Sequence, residues 1–433
     1  MADADPAGTR RVLIISRAYY PHCSPGSHRI AGIAKHLPEF GWTPVIVCPD
    51  WTPQNCFERC DASLQCRDTC EVVRVPYAVH AGYTPAALWH RLLNRMHHWS
   101  LPHLAPLRLL RDLEARAERL LSERTFDAIV ASHPPTMALT AAARVSEKSG
   151  VPWVADLRDL VVGRRPTPPL CPLKRLHVRR HAAVRRSARA LVTVSPPLAE
   201  RLAQQHPGTP VDVVCNGFDP DNYADGVEPD GDRFTMAYCG EIMSTESPAL
   251  LFDALDHILR SGAEKLQRFR LRFYGTTPAK VERHLKGRRC AQLVHVMGRV
   301  PFDESIRAQQ EANALLVLSC PGTKGILTSK VFEYLGARRP ILAVPSDGGV
   351  IDLLLEETRA GKIGRTAEEI ADILLDWVAE WKENGGPAWH GRAGAVEQYT
   401  RRSQAARMAQ VLDRAVGANA RAKSTSGAAS RAQ

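Results

Sequence analysis

The sequence predicts an α/β protein built of two doubly wound parallel-sheet domains. Short apolar runs rich in β-branched residues alternate with stretches of helical periodicity, which is the pattern of parallel strand–helix–strand units. The alternation is interrupted at residues 219–233, an acidic segment rich in Gly, Pro and Asp that is typical of a linker, and then resumes. A chain of 433 residues, of which 44% are hydrophobic, is long enough to bury two cores.

The first series of elements predicts an N-terminal domain over residues 8–218. "RRVLIIS" and "TPVIVCP" are apolar runs typical of buried strands, and the helical stretch between them ends at a glycine. Because a helix joins these two strands, they are expected to lie parallel. The series continues with strands at 126–135, 151–159, 190–195 and 211–217, and with helices at 136–149 and 172–188.

The second series predicts another α/β domain over residues 234–385. Its strands are expected at 234–242, 269–275, 293–300, 314–320 and 340–344, with helices at 247–261, 278–287, 303–311 and 365–382. Beyond this domain, residues 397–416 have the periodicity of an amphipathic helix. The small, polar and basic residues 417–433 predict a disordered tail.

The formal net charge of +11 favours an anionic partner, whether a phosphorylated ligand, an acidic membrane surface or nucleic acid. No zinc finger, RNP-like aromatic motif or helix-turn-helix signature accompanies the charge, so nucleic acid is not the expected partner. No apolar run approaches the roughly 18 residues that a membrane span needs, and "MADADPAGTR" lacks the order of a signal peptide. We therefore expect a cytoplasmic protein.

Four cysteines lie close together in the sequence, at Cys56, Cys60, Cys66 and Cys70. Four thiolates can hold zinc or another soft metal, but the usual signature is two CxxC pairs separated by a longer loop. Free thiols on a peripheral loop are therefore the favoured interpretation, and a metal site is the alternative. We expect no cofactor.

Four segments, in this order, resemble the motifs of one enzyme family: "YYPHCSPGSHRIAGIAKHLPEFGW", "ASHPPTMALTAA" with "GVPWVADLRD", "VCNGFDPDNY" and "SKVFEYLGARRPILAV". With them, the chain from about residue 10 to residue 415 resembles the family 4 retaining glycosyltransferases. The resemblance implies the GT-B fold, in which two Rossmann-like domains face each other across a cleft. It also implies that helix 397–416 packs back on the N-terminal domain. Ligands of doubly wound sheets bind at the carboxyl ends of the strands, so the cleft is the expected site.

The resemblance implies transfer of a sugar from a nucleotide-sugar donor to a glycan or lipid-linked acceptor, in the biosynthesis of cell-surface polysaccharide. It also implies retention of configuration and a reaction without a metal ion, in which the leaving diphosphate helps to deprotonate the acceptor. Such a reaction needs positioning and electrostatic stabilisation more than a general base. The alternatives are a nucleotide-sugar epimerase of the same fold and a degenerate, non-catalytic binding protein.

The segment "KGILTSKVFEYLG" contains the expected donor site. Thr328 or Ser329 is placed to cap a helix, and Lys330 follows in the first turn, where a cation is unfavourable unless an anion lies opposite. The resemblance assigns the donor diphosphate to this helix start and the ribose hydroxyls to Glu333. In the alternative interpretation, Lys330 is a solvated surface charge and Glu333 pairs with Lys330 or Arg338 on the helix face.

Two departures from the family pattern bear on the donor site. Gly325 occupies the position of a glutamate that contacts the donor sugar in many family members, and no basic residue follows Gly240 in "GEIMSTESPAL". Neutralisation of the diphosphate then depends on Lys330, with Lys324 as a second cation. The predicted catalytic residues are His133, Lys330 and Glu333. The predicted donor site comprises Gly240, Lys324, Gly325, Thr328, Ser329, Lys330 and Glu333.

Three stretches at strand ends of the N-terminal domain are expected on the acceptor side. The loop "SPGSHR" contains a glycine that permits close backbone approach. His133 follows "AIVAS" and matches a family histidine near the transferred sugar, although a lone histidine at a strand end can equally be structural. The charges in "VADLRD" either form an ion-pair network or contact substrate. The predicted acceptor-side residues are Gly26, Ser27, His28, Arg29, His133, Asp156, Arg158 and Asp159.

Residues 163–190 are the densest basic region of the chain, with apolar residues interspersed among the lysines and arginines. Because many acceptors in the family are lipid-linked, this stretch suggests peripheral contact with the anionic inner face of the membrane. The alternative is a solvated helix face.

Overall fold

The computed structural model describes residues 9–53, 59–65, 67–77, 107–134, 136–159, 184–229, 231–320, 322, 325 and 327–430. The chain divides into two compact units. One comprises the chain up to Cys215 together with the residues from Gln404 onward, and the other comprises Asn216–Ser403. Each unit has its own parallel sheet, which confirms the predicted α/β class with two doubly wound domains.

Parallel strands form the sheet of the N-terminal unit: β1 (Arg10–Ile15), β2 (Trp42–Pro49), β3 (Glu71–Val75), β4 (Ala128–His133), β5 (Trp153–Leu157), β6 (Ala190–Thr193) and β7 (Val211–Val213). They are arranged in the order β3-β2-β1-β4-β5-β6-β7. The central strands are almost continuously apolar because helices cover both faces of the sheet, as in other buried parallel sheets.

The helices described in this unit are α1 (Pro25–His36), α2 (Leu107–Glu123), α3 (Met137–Ser149) and α4 (Pro196–Gln205), with short 3-10 turns at Leu37–Phe40 and Ala62–Leu64. Leu113 and Leu139, from α2 and α3, are fully buried against one face of the sheet. On the other face, Ile30 of α1 packs in a second core with Trp42.

The second unit has its own set of parallel strands: β8 (Phe234–Cys239), β9 (Phe269–Tyr274), β10 (Val294–Gly298), β11 (Ala314–Leu318), β12 (Ile341–Val344) and β13 (Gly361–Ile363). Their order in the sheet is β10-β9-β8-β11-β12-β13. Its helices are α5 (Ala249–Ser261), α6 (Pro278–Glu282), α7 (Phe302–Gln310), α8 (Ser329–Ala337), α9 (Val350–Thr358), α10 (Ala367–Asn384) and α11 (Ala393–Glu397), with 3-10 turns at Pro220–Asn222, Ala263–Leu266 and Arg289–Leu293.

The C-terminal helix α12 (Arg401–Ser430) packs on the sheet of the N-terminal unit from Gln404 onward. Met408 and Leu412 are buried in the same core as Trp42, and Asp413 accepts a hydrogen bond from Trp42 Nε1 at 2.9 Å. The helix continues to Ser430, through most of the segment for which the sequence predicts a disordered tail, because its alanines, arginines and lysines favour helix. Within the described ranges, no helix combines the length and apolar character that a membrane crossing requires.

The acidic segment predicted as a linker packs against the second unit. Its Tyr223 hydroxyl donates a 2.7 Å hydrogen bond to the carbonyl oxygen of Glu333 in α8. The main chain of Ala224 exchanges hydrogen bonds with the Gln310 side chain, and Arg339 Nη2 donates to the carbonyl oxygen of Val227. One tyrosine side chain and the main chain of this polar stretch are therefore enough to attach it to α7, to α8 and to the residues that follow α8.

Candidate functional site

In each unit, the predicted site residues follow strands at which the strand order reverses. The reversal lies between β1 and β4 in the N-terminal unit and between β8 and β11 in the second. At such a switch point the loops leave the sheet in opposite directions, and the crevice at the carboxyl ends of the strands binds ligands in doubly wound folds. The residues predicted to bind the donor follow β8 and β11, and those predicted on the acceptor side follow β1, β4 and the adjacent β5.

The N-terminus of α8 has the features of an anion-binding site. Thr328 is its N-cap residue, but its side chain makes no capping hydrogen bond, and the first turn of this nine-residue helix contains no acidic residue. The backbone N–H groups of the first turn are thus left for another acceptor, and the helix dipole favours an anion there. Thr328 and Ser329 are half-buried.

Lys330 lies in the first turn of α8, and its side chain is buried rather than solvated. The residue is 8% exposed, and its Nζ lies 3.3 and 3.4 Å from the two carboxylate oxygens of Glu246. The same ammonium group lies 5.1 Å from the centre of the Tyr238 ring, a cation–π contact. Lys330 is therefore neither a solvated surface charge nor ion-paired with Glu333.

Sequence reasoning missed Glu246, the partner of this lysine. Glu246 is 5% exposed, and its Oε2 accepts hydrogen bonds from the Tyr238 hydroxyl and the Met243 N–H, both at 2.9 Å. An acid in the loop after Gly240, where the family pattern leads one to expect a base, was the available signal. The pair brings together two residues that are 84 positions apart.

Gly240 makes room for the lysine stem at the end of β8. Its φ of 133° is a conformation that residues with a side chain rarely adopt. A Cβ atom at this position would lie 2.6 Å from Lys330 Cε. Both observations require a glycine here.

Gly325 also has a positive φ, of 89°. A residue with a Cβ atom would be strained in this conformation, which gives a physical reason for a glycine where many family members have a glutamate. Lys324, the second cation expected from the sequence, lies outside the residues that the structure describes.

Glu333 is half-buried on α8, and burial raises the pKa of its carboxyl group to about 7. The positive charges of Arg401 and Lys330 act in the opposite direction but do not cancel the effect. Near neutral pH the carboxyl group therefore exists in both protonation states. Only the ionised form offers both oxygens as acceptors.

Two basic residues from other elements lie beside the loop after Gly240. Lys280 of α6 forms an ion pair with Glu241, and its Nζ donates a 2.9 Å hydrogen bond to the carbonyl oxygen of Ile242. Arg299, which follows β10, lies 3.9 Å from the same carboxylate. The segment "GEIMSTESPAL" lacks a base of its own, but the fold supplies cations to it.

In the N-terminal unit, Arg29 and Asp156 form an ion pair that is 0% exposed on both sides. Arg29 Nε and Nη2 donate to the two carboxylate oxygens of Asp156 at 3.0 and 2.7 Å, and its Nη1 donates to the carbonyl oxygen of Cys215 at 2.7 Å. Ser132 Oγ donates a further bond to Asp156 at 3.0 Å. All polar ends of the pair are occupied, so it is part of the interior and fixes α1 to β5.

Arg158 lies at the same strand end but has neutral partners. Its Nε donates to Ser132 Oγ and its Nη2 to the carbonyl oxygen of Pro134, both at 3.3 Å. The guanidinium group packs against Gly26 in the first turn of α1, where a Cβ atom would lie 2.5 Å from Nη2. Burial lowers the pKa of Arg158; the charges of Asp156 and Asp159 act in the opposite direction, and that of Arg29 in the same direction.

His133 ends β4 beside this arginine and is 6% exposed. Burial, followed by the charges of Arg158 and Arg185, lowers the pKa of its imidazole to about 4, so the ring is neutral at physiological pH. Among the described residues, no group forms a hydrogen bond with its Nδ1. A buried nitrogen of this kind is costly unless a ligand or water satisfies it.

The other residues predicted on the acceptor side have local roles. The N–H of Ser27, which is fully buried, donates to Ser24 Oγ in the N-cap of α1. His28 Nδ1 lies 3.0 Å from the Tyr20 hydroxyl, and its Nε2 lies 3.7 Å from Cys23 Sγ. Asp159 is exposed.

The cysteine cluster is described only in part, since Cys56 and Cys66 lie outside the described residues. Of the other two, Cys60 pairs through its backbone with His22 in an isolated antiparallel β-bridge. Burial raises the pKa of the Cys70 thiol to about 12. Searching the described part of the chain reveals no group of three or more His, Cys, Asp or Glu side chains arranged to hold a metal ion.

The basic stretch 163–190 is described only from Val184 onward. Arg185 is 3% exposed and its Nε donates a 3.0 Å hydrogen bond to His206 Nε2, so it faces the interior and is not available to a membrane surface. Arg186 is exposed.

Residues 27–222 match the model of Glycosyltransferase Family 4. No curated protein sequence matches the chain. The match covers most of the N-terminal unit and agrees with the resemblance that the sequence motifs carry. The predicted resemblance to the family 4 glycosyltransferases is thereby confirmed over residues 27–222.

Solved structures with the same fold cover nearly the whole chain. Alr3699/HepE from Anabaena, in complex with UDP and glucose, matches at 15% identity with a TM-score of 0.61 over 93% of this chain and 99% of its own. Sucrose-phosphate synthase from Thermosynechococcus elongatus matches at 12% identity with a TM-score of 0.62, over 94% and 100%. A protein assigned as UDP-N-acetylglucosamine 2-epimerase in Listeria monocytogenes matches at 12% with a TM-score of 0.54, over 92% and 94%. At these identities the matches establish the fold, which is GT-B.

Proposed function

We propose that this chain, which has the GT-B fold and matches family 4 over residues 27–222, is a glycosyltransferase. It is proposed to transfer a sugar from a nucleotide-sugar donor to a glycan or lipid-linked acceptor. We propose that the reaction retains the configuration of the sugar, needs no metal ion and serves cell-surface polysaccharide biosynthesis in the cytoplasm. UDP-sugars are the first donors to test, because HepE was solved with UDP and glucose.

The observation that best supports the proposal is the uncapped, acid-free start of α8 with Lys330 buried in its first turn. Its N–H groups and this cation suit a diphosphate, which gains negative charge as the sugar leaves. In the proposed mechanism, Lys330 stabilises the charge that develops on the leaving diphosphate. The β-phosphate oxygen that is released takes the proton from the acceptor hydroxyl.

Glu333 is proposed to hold the donor ribose. An ionised carboxylate can accept hydrogen bonds from two neighbouring hydroxyl groups, and its raised pKa means that such binding would shift the carboxyl group towards the ionised form. Binding of the nucleoside at pH 6 should therefore release protons. The hydrogen bonds from the ribose hydroxyls to Glu333 would hold the donor in place for attack.

His133 is proposed to contact the transferred sugar as a neutral imidazole, because its low pKa makes it a poor general acid at physiological pH. Its buried Nδ1 can accept a hydrogen bond from a sugar hydroxyl. The role proposed for His133 is thus orientation of the sugar rather than proton transfer.

The direct test is a screen of UDP- and GDP-sugars for thermal stabilisation, followed by NMR of the product. A donor at about 100 times its Kd should add roughly 2.7 kcal/mol to the free energy of unfolding. The anomeric coupling constant of the product reports retention, and activity should persist in EDTA. Stabilisation by none of these donors would remove the proposal.

An epimerase is the second candidate, because the Listeria protein assigned to that activity shares the fold. Its reaction needs no acceptor. Incubating the protein with UDP-N-acetylglucosamine alone and following the sugar by NMR separates the two. An epimerised sugar favours the epimerase, whereas binding without turnover in either assay favours a non-catalytic binding protein.

We also propose contact with an anionic membrane through residues 163–190, as the basic and apolar composition of this stretch suggests. This contact would bring the enzyme to a lipid-linked acceptor. Arg185 is excluded from the contact because its side chain is buried.

A further inference from the structure

We propose that Arg158, beside the start of α1, is a phosphate-binding residue and that the acceptor substrate carries this phosphate. The inference deepens the proposed function, on which it rests for the identity of the ligand as an acceptor. It starts from a guanidinium group whose hydrogen-bond acceptors among the described residues are a hydroxyl and a carbonyl oxygen.

Asp156, one of the two carboxylates whose charges act on Arg158, is already hydrogen-bonded. Asp156 receives two hydrogen bonds from Arg29 and one from Ser132. Arg158 is left with a hydroxyl and a carbonyl oxygen at 3.3 Å, and within the described ranges no carboxylate forms an ion pair with it. Burial, which lowers the pKa of Arg158, outweighs the opposing charges of Asp156 and Asp159, so an incoming anion would stabilise the charged form.

The position of the guanidinium group adds to this imbalance. It packs against Gly26, in the first turn of the 12-residue helix α1, and that turn contains no acidic residue. A cation at the positive end of a helix is unfavourable by itself, whereas an anion there is attracted by both the cation and the dipole. The absence of a side chain at Gly26 is what allows this approach.

His133 gives independent support for a ligand. It is 6% exposed, and its Nδ1 has no hydrogen-bond partner among the described residues. Its carbonyl oxygen accepts the N–H of Arg158 at 3.2 Å, which places the two residues side by side. Because this nitrogen is proposed to accept a hydrogen bond from the transferred sugar, a phosphate on the neighbouring arginine would lie beside the reacting sugar.

Two kinds of acceptor carry such a phosphate, a lipid phosphate and a soluble sugar phosphate. Hexyl phosphate represents the first, glucose 1-phosphate the second, and hexyl glucoside is the uncharged control. Each is titrated by calorimetry into protein saturated with UDP, so that the donor site is filled. The stronger of the two phosphate ligands identifies the source.

The test variant is Arg158→Gln, and Arg111→Gln on α2 is the matched control, because it removes the same charge from an exposed position of the same unit. Loss of one charge-assisted contact should weaken phosphate binding at least about tenfold in the test variant. The control should bind as the parent does. If Arg158→Gln does not fold, Arg158→Lys takes its place in the test. This variant keeps the charge but lacks the planar guanidinium group, and it should keep only part of the phosphate affinity.

Equal phosphate affinity in the parent and in Arg158→Gln would overturn the proposal, as would the absence of phosphate binding. A tenfold loss of UDP affinity in Arg158→Gln would assign the anion to the donor and overturn the acceptor assignment. Phosphate binding that depends on Arg158, in a protein that binds no UDP or other nucleotide, would leave the phosphate site standing and remove the glycosyltransferase proposal instead.

Discussion

Lys330 Nζ lies 3.3 Å from Glu246 Oε1, and both side chains are buried. The carboxylate is fixed by the Tyr238 hydroxyl and the Met243 N–H, so it is a rigid partner. The diphosphate proposed to bind at the start of α8 would therefore share the lysine with a carboxylate that is held in place by two hydrogen bonds. This arrangement should limit the affinity for nucleoside diphosphate and so ease product release.

Replacing Glu246 by Gln should strengthen UDP binding and weaken the ligand-free fold. The free energy of unfolding should fall by about 1–3 kcal/mol, because the buried Lys330 loses its counter-charge. UDP affinity should rise about fivefold, a gain on the order of 1 kcal/mol from removal of a nearby negative charge. Calorimetry and chemical denaturation measure the two effects.

Glu282→Gln, at an exposed position of the same unit, is the matched control for this change of charge and should alter neither quantity. Weaker UDP binding by Glu246→Gln would mean that Glu246 serves only to position Lys330. The proposal that the carboxylate and the diphosphate compete for Lys330 would then be wrong.

The roles proposed for Lys330 and Glu333 should be distinguishable by comparing the binding of UDP with that of uridine. Lys330→Met keeps much of the packing of the stem but removes a charge-assisted contact, so UDP binding should weaken by about 1.5–3 kcal/mol, while uridine binding hardly changes. Glu333→Gln should weaken both ligands together, because both contain the ribose. Turnover should fall in both variants. Unchanged affinities in titration calorimetry, with the fold verified by circular dichroism, would mean that α8 is structural.

The raised pKa of Glu333 predicts opposite pH dependences for stability and for binding. Because the pKa in the folded protein, about 7, exceeds the ordinary value of 4.5, the stability associated with the protonated form is lost as pH rises through 7. Relative to the parent, Glu333→Gln should therefore be more stable at pH 8 than at pH 5, as measured by the difference in Tm.

Uridine binding should strengthen between pH 5 and pH 8 in the parent, because the ribose is expected to bind the ionised carboxylate. Uridine is the suitable probe, since it has no phosphate that titrates in this range. The slope should disappear in Glu333→Gln. A slope that persists in this variant would assign the pH dependence to another group.

Leu412→Ala should destabilise the N-terminal unit by about 2–5 kcal/mol, because this residue of α12 is 0% exposed in a core with Trp42. Gln410→Ala on the exposed side of the same helix is the control. Chemical denaturation followed by tryptophan fluorescence measures both. Similar small losses in the two variants would mean that the helix contributes little to this core.

Binding to vesicles that contain anionic lipid should depend on the basic stretch. Replacing three arginines of this stretch other than the buried Arg185 by glutamate should weaken binding by at least about 3 kcal/mol, given about 1 kcal/mol for each basic residue. A triple reversal of exposed arginines elsewhere in the N-terminal unit is the control and should have a smaller effect. The test set is Arg179, Arg180 and Arg186, and the control set is Arg111, Arg119 and Arg144. Absence of binding by the parent in a sedimentation assay would remove the membrane proposal.

The two-sheet architecture could be predicted because its signals are local. Strand and helix periodicities act over a few neighbouring residues, and a helix between two strands makes them parallel. Gly26 and Gly240 were predicted as site residues, and the structure packs a side chain against each where a Cβ atom would stand, Arg158 and Lys330. The sequence alone therefore determined the fold class and the need for an anion beside Lys330, which the structure supplies as Glu246.

The charge partners were decided by the tertiary structure. Lys330 pairs with Glu246 across 84 positions, and Arg29 pairs with Asp156 across 127. Lys280 meets Glu241 only because β8 and β9 are neighbours in the sheet. Which carboxylate a cation meets, and how far burial shifts a pKa, depends on the order in which strands assemble and on the water that they exclude. Neither of these quantities is encoded in the spacing of residues along the chain.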